Sequence, residues 1–303
     1  MRKRSGAQRR WDVIIVGAGP AGMSAALILG RCRRSVLICD RGTPRNASSH
    51  AMYAYLSRDG VDPGTFRRTA WTQIGRYPSV RFRAQEVVSA RRIKTDLFEV
   101  AFRNGRRAVS RKLLLASGVA DQLPSIPGIA QYYGKSVFPC PYCDGWEMRD
   151  QGIAVYGRGA RGFEMARAMT AWSSDILVCT DGGASPTKAQ CRDLAANGIA
   201  VARARIVRLG GRKGRLQRIF FADGSSVARR ALFFDTPSRP QCDLARQLQC
   251  GFTAGGGIRC GQYEASSVPG VFVAGNILRD VQLSIVAAAE GARAAFGINR
   301  ALT

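Results

Sequence analysis

Short, almost uninterrupted apolar runs alternate along this chain with stretches in which apolar residues return every three or four positions. WDVIIV at 11–16 is the first such run, and MSAALIL at 23–29 has helical spacing. VLICD (36–40), GIAVY (152–156), DILVC (175–179) and GVFVAG (270–275) share the β-rich character and are too short for helices. Two longer segments read as β-meanders. FEVAFRNGRRAVSRKLLLASG turns at Asn104-Gly105 and LQRIFFADGSSVARRALFFDT at Asp223-Gly224, dipeptides that favour tight hairpins. Each meander follows a strand, a glycine turn, a helix and a second strand, so the same plan is written twice. The fold class this predicts is α/β, with two Rossmann-like nucleotide-binding units. The tail, 269–302, predicts a strand ending in Ala274-Gly275-Asn276 and then an alanine-rich helix beginning near Gln282.

Gly17, Gly19 and Gly22 form G-x-G-x-x-G where the first strand meets the first helix, and Asp40 closes the next strand 23 positions after Gly17. Glycines at such a turn let the backbone approach a pyrophosphate at a helix N-terminus, and the carboxylate accepts from a ribose hydroxyl. The tail helix, with its N-terminus aimed at a bound ring system, would stabilise the negative charge that develops on a reduced flavin. Gly157, Gly159 and Gly162 repeat the pattern, but Thr180 stands where the acid should be and is followed by Asp181-Gly182-Gly183. Only Arg158, Arg161 and Lys188 are at hand to meet a 2′-phosphate, so weak discrimination between NADPH and NADH is expected.

A chain of 303 residues with 46% hydrophobic residues accommodates two domains with cores of their own. Nine cysteines, an odd number, do not resemble a small secreted disulfide scaffold, and a reducing compartment is expected. The start, MRKRSGAQRRW, reads as a basic flexible tail over 1–10. Its twin arginine lacks the apolar core of an export signal, and no stretch approaches a membrane span, so a cytoplasmic protein without a membrane partner is expected. The net charge of +25 raises the question of an acidic or nucleic-acid partner. The arginines are spread along the chain, with clusters at 90–94, 103–107 and 203–218. No nucleic-acid-binding motif accompanies them, and a solvated surface without a nucleic-acid partner is the expectation.

FPCPYCDGWE, at 138–147, places Cys140 and Cys143 in a C-x-x-C with Asp144 directly after. A zinc clip would want a second ligand pair; the remaining cysteines form no second C-x-x-C, His50 is the single histidine, and no metal is expected. As a staple the pair would close too short a loop to stabilise much. A redox role fits, because C-x-x-C thiols can ionise near neutral pH and attack disulfides. Asp144 is then either a proton donor to a leaving thiolate or an ordinary helix cap. Trp146, Tyr53 and Tyr55 read as groove-lining or core aromatics, and His50 as a loop residue.

GAGPAG at 17–22, ASG at 116–118, CPYCDG at 140–145, GRGARG at 157–162 and PGVFVAGN at 269–276, in this order, resemble the low-molecular-weight thioredoxin reductase family from about Trp11 to the end. The resemblance implies a discontinuous FAD domain, 11–118 and 241–303, with an NAD(P)H domain, 119–240, inserted into it and carrying the cysteines. It implies FAD contacts at Gly17, Gly19, Pro20, Ala21, Gly22, Asp40, Arg45, Asn46, Gly118, Asn276 and Gln282, and nicotinamide nucleotide contacts at Gly157, Gly159 and Gly162. It places Cys143 against the flavin, makes Cys140 the interchange thiol, and implies a homodimer. Electrons would pass from NADPH through FAD and the dithiol to a thioredoxin-like protein or a small disulfide, as the two domains rotate. DRGTPRN at 40–46, SRDG at 57–60 and CPYCDGWE are closer to a branch of dithiol oxidases of disulfide antibiotics such as gliotoxin and holomycin, in which a dithiol is the donor and oxygen the acceptor. That branch has His where this chain has Asp144. Asn276 stands where the family usually has Asp, Val281 where it has Arg, and Pro139 where it often has His. The expected activity is a disulfide oxidoreductase, with a small-molecule dithiol oxidase as one alternative and a basic redox-dependent nucleic-acid-binding flavoprotein as another.

Overall fold

The computed structural model describes residues 9–183, 186–278 and 281–303, so most of the basic tail expected at 1–10 lies outside the described residues. The chain opens with β1 (Arg10–Val16), α1 (Pro20–Arg31), β2 (Val36–Cys39), α2 (Pro63–Ile74), β3 (Val80–Arg83), and the meander β4 (Val87–Lys94), β5 (Leu97–Phe102) and β6 (Arg107–Leu115). β7 (Val119–Asp121) leads to β8 (Val137–Phe138), α3 (Pro141–Asp144), β9 (Ile153–Tyr156), α4 (Ala160–Met169), β10 (Ile176–Cys179), α5 (Lys188–Ala196) and β11 (Ala200–Ala202). A second meander, β12 (Ile206–Arg212), β13 (Arg215–Phe221) and β14 (Ser226–Ala228), returns through β15 (Ala231–Phe234). The chain closes with β16 (Ser238–Pro240), α6 (Leu244–Gln247), β17 (Val271–Val273) and α7 (Ser284–Arg300).

The first sheet runs β3-β2-β1-β6-β5-β4, with β17 added parallel to the C-terminal part of β6. β1, β2, β3, β6 and β17 are parallel, while β5 and β4 return antiparallel. Strands covered on both faces must be apolar on both, which is why WDVIIV and VLIC run nearly without polar interruption. Val13, Ile15, Ile38 and Leu114 face one way, onto the alanines of α1 and α7. Ile14, Val16, Leu37, Leu113 and Leu115 face the other way, onto Phe98, Val100 and Phe102 of the folded-over meander. The result is three layers, β, β and α. Phe98 and Phe102 are fully buried; trimming either to alanine would cost about 3–5 kcal/mol. Small residues let the helices close up, and Gly291 of α7 lies against the Ala21 carbonyl of α1, where a Cβ would overlap it.

The second sheet, β11-β10-β9-β15-β8, is parallel wherever its strands pair. Phe163, Ala166 and Met169 of α4 cover one face, and Leu209, Leu216 and Ile219 of the β12–β14 meander cover the other. The two sheets are joined by an antiparallel ribbon in which Asp121 pairs with Ser238 and Val119 with Pro240. One unit is thereby inserted into the other, and both chain crossings lie side by side. Among the described residues no helix is long and apolar enough to cross a membrane.

Candidate active site

A cavity of about 700 Å³ runs between the two units, lined by both glycine-turn helices' neighbourhoods, the ribbon and the C-x-x-C. Gly17 opens its floor. With φ +105° and the Ala116 carbonyl where a Cβ would stand, this position takes only glycine, and it brings β1 and β6 together at the strand ends. Gly19 is different: among the described residues nothing beyond its own chain neighbours lies within 4 Å of where its Cβ would be, so its open side is the cleft itself. Pro20 starts α1 with φ already set, and its ring costs no hydrogen bond there.

Asp40, at the end of β2, accepts from Ala18 N at 2.7 Å and Gly42 N at 2.6 Å, with Arg67 3.5 Å away. Its carboxylate therefore braces the glycine turn as well as facing the cavity. Asn46, Gly118, Asn276 and Ala21 also line the cavity. Asn276 opens a single 3-10 turn, and α7 begins at Ser284, two residues beyond the expected start. Gln282 is left free of the helix, and its side-chain oxygen accepts from Arg45 at 2.5 Å. The Gly275 amide donates to Glu290 of α7 at 2.6 Å, which holds the Ala274-Gly275-Asn276 turn against that helix.

Cys140 and Cys143 form a disulfide and both line the cavity half-buried. Cys140 is the N-cap of α3, its sulfur accepting from the Cys143 amide at 3.1 Å. That cap removes the capping alternative for Asp144, which is the last residue of the helix. Among the described residues no group donates a hydrogen bond to its carboxylate. Burial, with a smaller contribution from Glu147, pushes the Asp144 carboxyl up to about 7. Tyr53, on the first unit and facing Asp144 in the cavity, is pushed up as well, by its burial and then by Glu147 and Asp144. Tyr142 and Trp146 point outward, 72% and 62% exposed, with Tyr142 edge-on against Trp172 and Arg149 stacked over Trp146. His50 is exposed, whereas its neighbours Ser49 and Ala51 line the cavity.

Sequence reasoning missed a cluster at the ribbon. Arg45 donates to both oxygens of Asp121, at 2.8 and 2.5 Å, and Tyr133 donates to Asp121 at 2.5 Å. Burial first, and then this bond to a carboxylate, raise the Tyr133 hydroxyl well above its usual range. A lone acid in VADQL belongs to no motif, so no signal in the sequence marks it.

The second glycine turn stands outside the cavity, although Arg161 and Met165 of α4 reach its wall. Gly157 and Gly162 touch backbone to backbone, with no room for a Cβ on either. Thr180 is fully buried, and among the described residues its hydroxyl has no hydrogen-bond partner. Asp181, at φ +52°, accepts from Tyr156 OH at 3.0 Å, Arg158 at 2.8 Å and Ile206 N at 2.8 Å. Arg161 is paired with Asp235 at 2.6 Å. Both arginines expected to face a 2′-phosphate are thus held by carboxylates.

One nucleotide-type turn opening onto a dithiol cavity, with a second such turn on the inserted unit outside it, defines a two-domain flavin and nicotinamide disulfide oxidoreductase, and the comparisons with known proteins agree. The chain belongs to the pyridine nucleotide-disulphide oxidoreductase family, whose pattern it matches over residues 11–291, as a thioredoxin reductase-like, FAD-dependent member. It is 34% identical over 278 residues to thioredoxin reductase tcpT of Claviceps purpurea, covering 88% of this chain and 86% of that one. It is 35% identical over 182 residues to a protein of Arthroderma benhamiae described as a probable thioredoxin reductase; there the match spans 58% of this chain and 45% of that one. The crystal structure of HlmI superposes with a TM-score of 0.92 at 34% identity, over 96% of this chain and 92% of that chain. The cofactors of this family are FAD and NADPH. The open side of Gly19, the braced turn at Ala18 and the cavity's size fit a dinucleotide in the first unit.

Proposed function

We propose that this chain moves electron pairs between NADPH, FAD, the Cys140–Cys143 pair and an external disulfide. The observation that carries it is the sharing of one cavity by the redox disulfide, Asp144 and the first glycine turn. Residues 11–118 with 241–303 form the FAD domain, and 119–240 the NAD(P)H domain. FAD is held by Gly17, Gly19, Pro20, Ala21, Gly22, Asp40, Asn46, Gly118, Asn276 and Gln282, with Arg45 joining Gln282 to the ribbon. Bound there, the flavin supplies two-electron redox chemistry. Cys143 takes the position against it, and Cys140 meets the substrate.

The reduced pair then acts on a thioredoxin-like protein or a small disulfide. Cys140 thiolate attacks one substrate sulfur, the substrate S–S bond breaks, and the leaving thiolate takes a proton held on Asp144. Cys143 then displaces the second substrate thiol and the intramolecular disulfide re-forms. The Cys143 amide donates to the Cys140 sulfur at 3.1 Å and holds the attacking atom at the start of α3. A homodimer is the assembly in which this takes place.

One observation favours a second reading, oxidation of a small dithiol with oxygen as acceptor: Arg158 and Arg161 are both tied to carboxylates beside the second glycine turn. Steady-state turnover of the purified flavoprotein with NADPH plus a disulfide, and separately with a dithiol plus oxygen, tests the two. Turnover only in the second assay overturns the first reading.

A further inference from the structure

The two meanders carry similar numbers of cations but spend them differently. On the first meander five of the eight cations at 91–112 meet carboxylates: Arg91 and Arg107 with Glu99 at 2.8 and 2.9 Å, Arg103 with Glu86 at 2.6 Å, Arg111 with Asp12 at 3.7 Å and Lys112 with Asp96 at 2.6 Å. On the second unit Arg203, Arg205, Arg208, Arg212, Lys213, Arg215 and Arg218 are all exposed. Among the described residues none of these cations meets a carboxylate. The sole acid between 203 and 230 is Asp223, and its carboxylate is taken by the Ser225 amide and hydroxyl at 2.9 and 2.6 Å.

The outer face of this sheet also carries a layered group of side chains. Arg208 pairs across the strands with Phe220, and Gly210 with Arg218. The Phe220 ring lies over Gly210, where a Cβ would come within 2.8 Å of it, and the Arg208 guanidinium lies on the ring, 3.4 Å from its centroid. Arg218 is held alongside by the Ser226 hydroxyl at 2.9 Å. Lys135 lies against Gly214 and adds a further cation at the hairpin tip.

We propose that the outer face of the β12–β14 sheet binds the phosphate backbone of single-stranded nucleic acid without reading its sequence. Guanidinium groups free of carboxylates match phosphate oxygens in fork geometry, and their counterions are released on binding. The layered Gly210, Phe220 and Arg208 present a guanidinium plane on which a base can stack. That platform favours nucleic acid over an acidic protein, which needs the charge but not the plane. This face is distinct from the dithiol cavity, whose lining includes none of these cations.

The test is fluorescence anisotropy of the full flavoprotein with a labelled oligothymidylate of about 20 residues, across salt concentrations. Arg208→Ser/Arg218→Ser should weaken binding about tenfold or more at low salt and reduce the log–log salt slope by about 1.4, the share of two phosphate contacts. Arg91→Ser/Arg107→Ser, with the same loss of charge from the paired meander, should stay within about twofold. Both variants should keep flavin absorbance and disulfide turnover. Equal weakening by both, absence of binding by the wild type at low salt, or displacement by polyglutamate as effective as by unlabelled oligothymidylate of equal charge would each overturn the proposal.

Discussion

Among the described residues no hydrogen-bond donor holds the charge of Asp144 in the cavity, and burial with Glu147 nearby lifts its carboxyl from an ordinary 3.8 to about 7. A carboxyl raised in this way binds its proton more tightly in the folded chain than in the unfolded one. Its contribution to stability is complete below about pH 4 and is lost as pH rises through about 7. Asp144→Asn should therefore melt relatively higher than the wild type at pH 8 than at pH 4, which thermal scans at the two pH values would read. In turnover the same group must donate a proton, so wild-type disulfide reduction should fall above about pH 7. Asp144→Asn should be slower by about ten- to a hundredfold and should lose that fall. An unchanged rate and profile would remove Asp144 from the proton path. The cysteine pair was legible in the sequence because its chemistry depends on spacing alone. The state of Asp144 was not, because it depends on which residues close over it. Asp121 was still less legible, its importance resting on Arg45 and Tyr133, which are distant in sequence.

Glycine turns and the helices they start were read correctly as elements, since a parallel strand buried on both faces and a glycine-rich helix entry each leave a pattern in the residues themselves. Turn dipeptides at 104–105 and 223–224 placed both hairpins for the same reason. The start of α7 fell at Ser284 instead of near Gln282, whose side chain is drawn off by Arg45. The short helix α3 left no sequence signal, because its cap is a cysteine sulfur. Gly19 offers a test at this scale. Its open side faces the cleft, so Gly19→Val should fold, with melting close to that of the wild type, yet purify without flavin colour. Retention of full flavin absorbance would show that α1 does not present its N-terminus to the pyrophosphate.

Across the whole molecule, the two units meet at the ribbon, where Arg45, Asp121, Tyr133 and Gln282 join the helix entry of one unit to the chain crossing into the other. Which unit the second turn serves was legible from its repeat, but the pairing of its cations was not, since Arg158 and Asp181 are partners only once β9 and β10 lie side by side. With Asp181 holding Arg158, the preference for NADPH over NADH should be small, and Asp181→Asn should increase it by releasing the arginine toward a 2′-phosphate. Initial rates with both nucleotides check this, and a strong NADPH preference in the wild type would contradict it. The central claim, that electrons reach external thiols and disulfides only through the cysteine pair, is tested most directly by anaerobic titration of the wild type and Cys143→Ser with a dithiol, followed at the flavin absorbance. The account predicts bleaching of the wild type and none in Cys143→Ser. Bleaching of Cys143→Ser at the wild-type rate would contradict it.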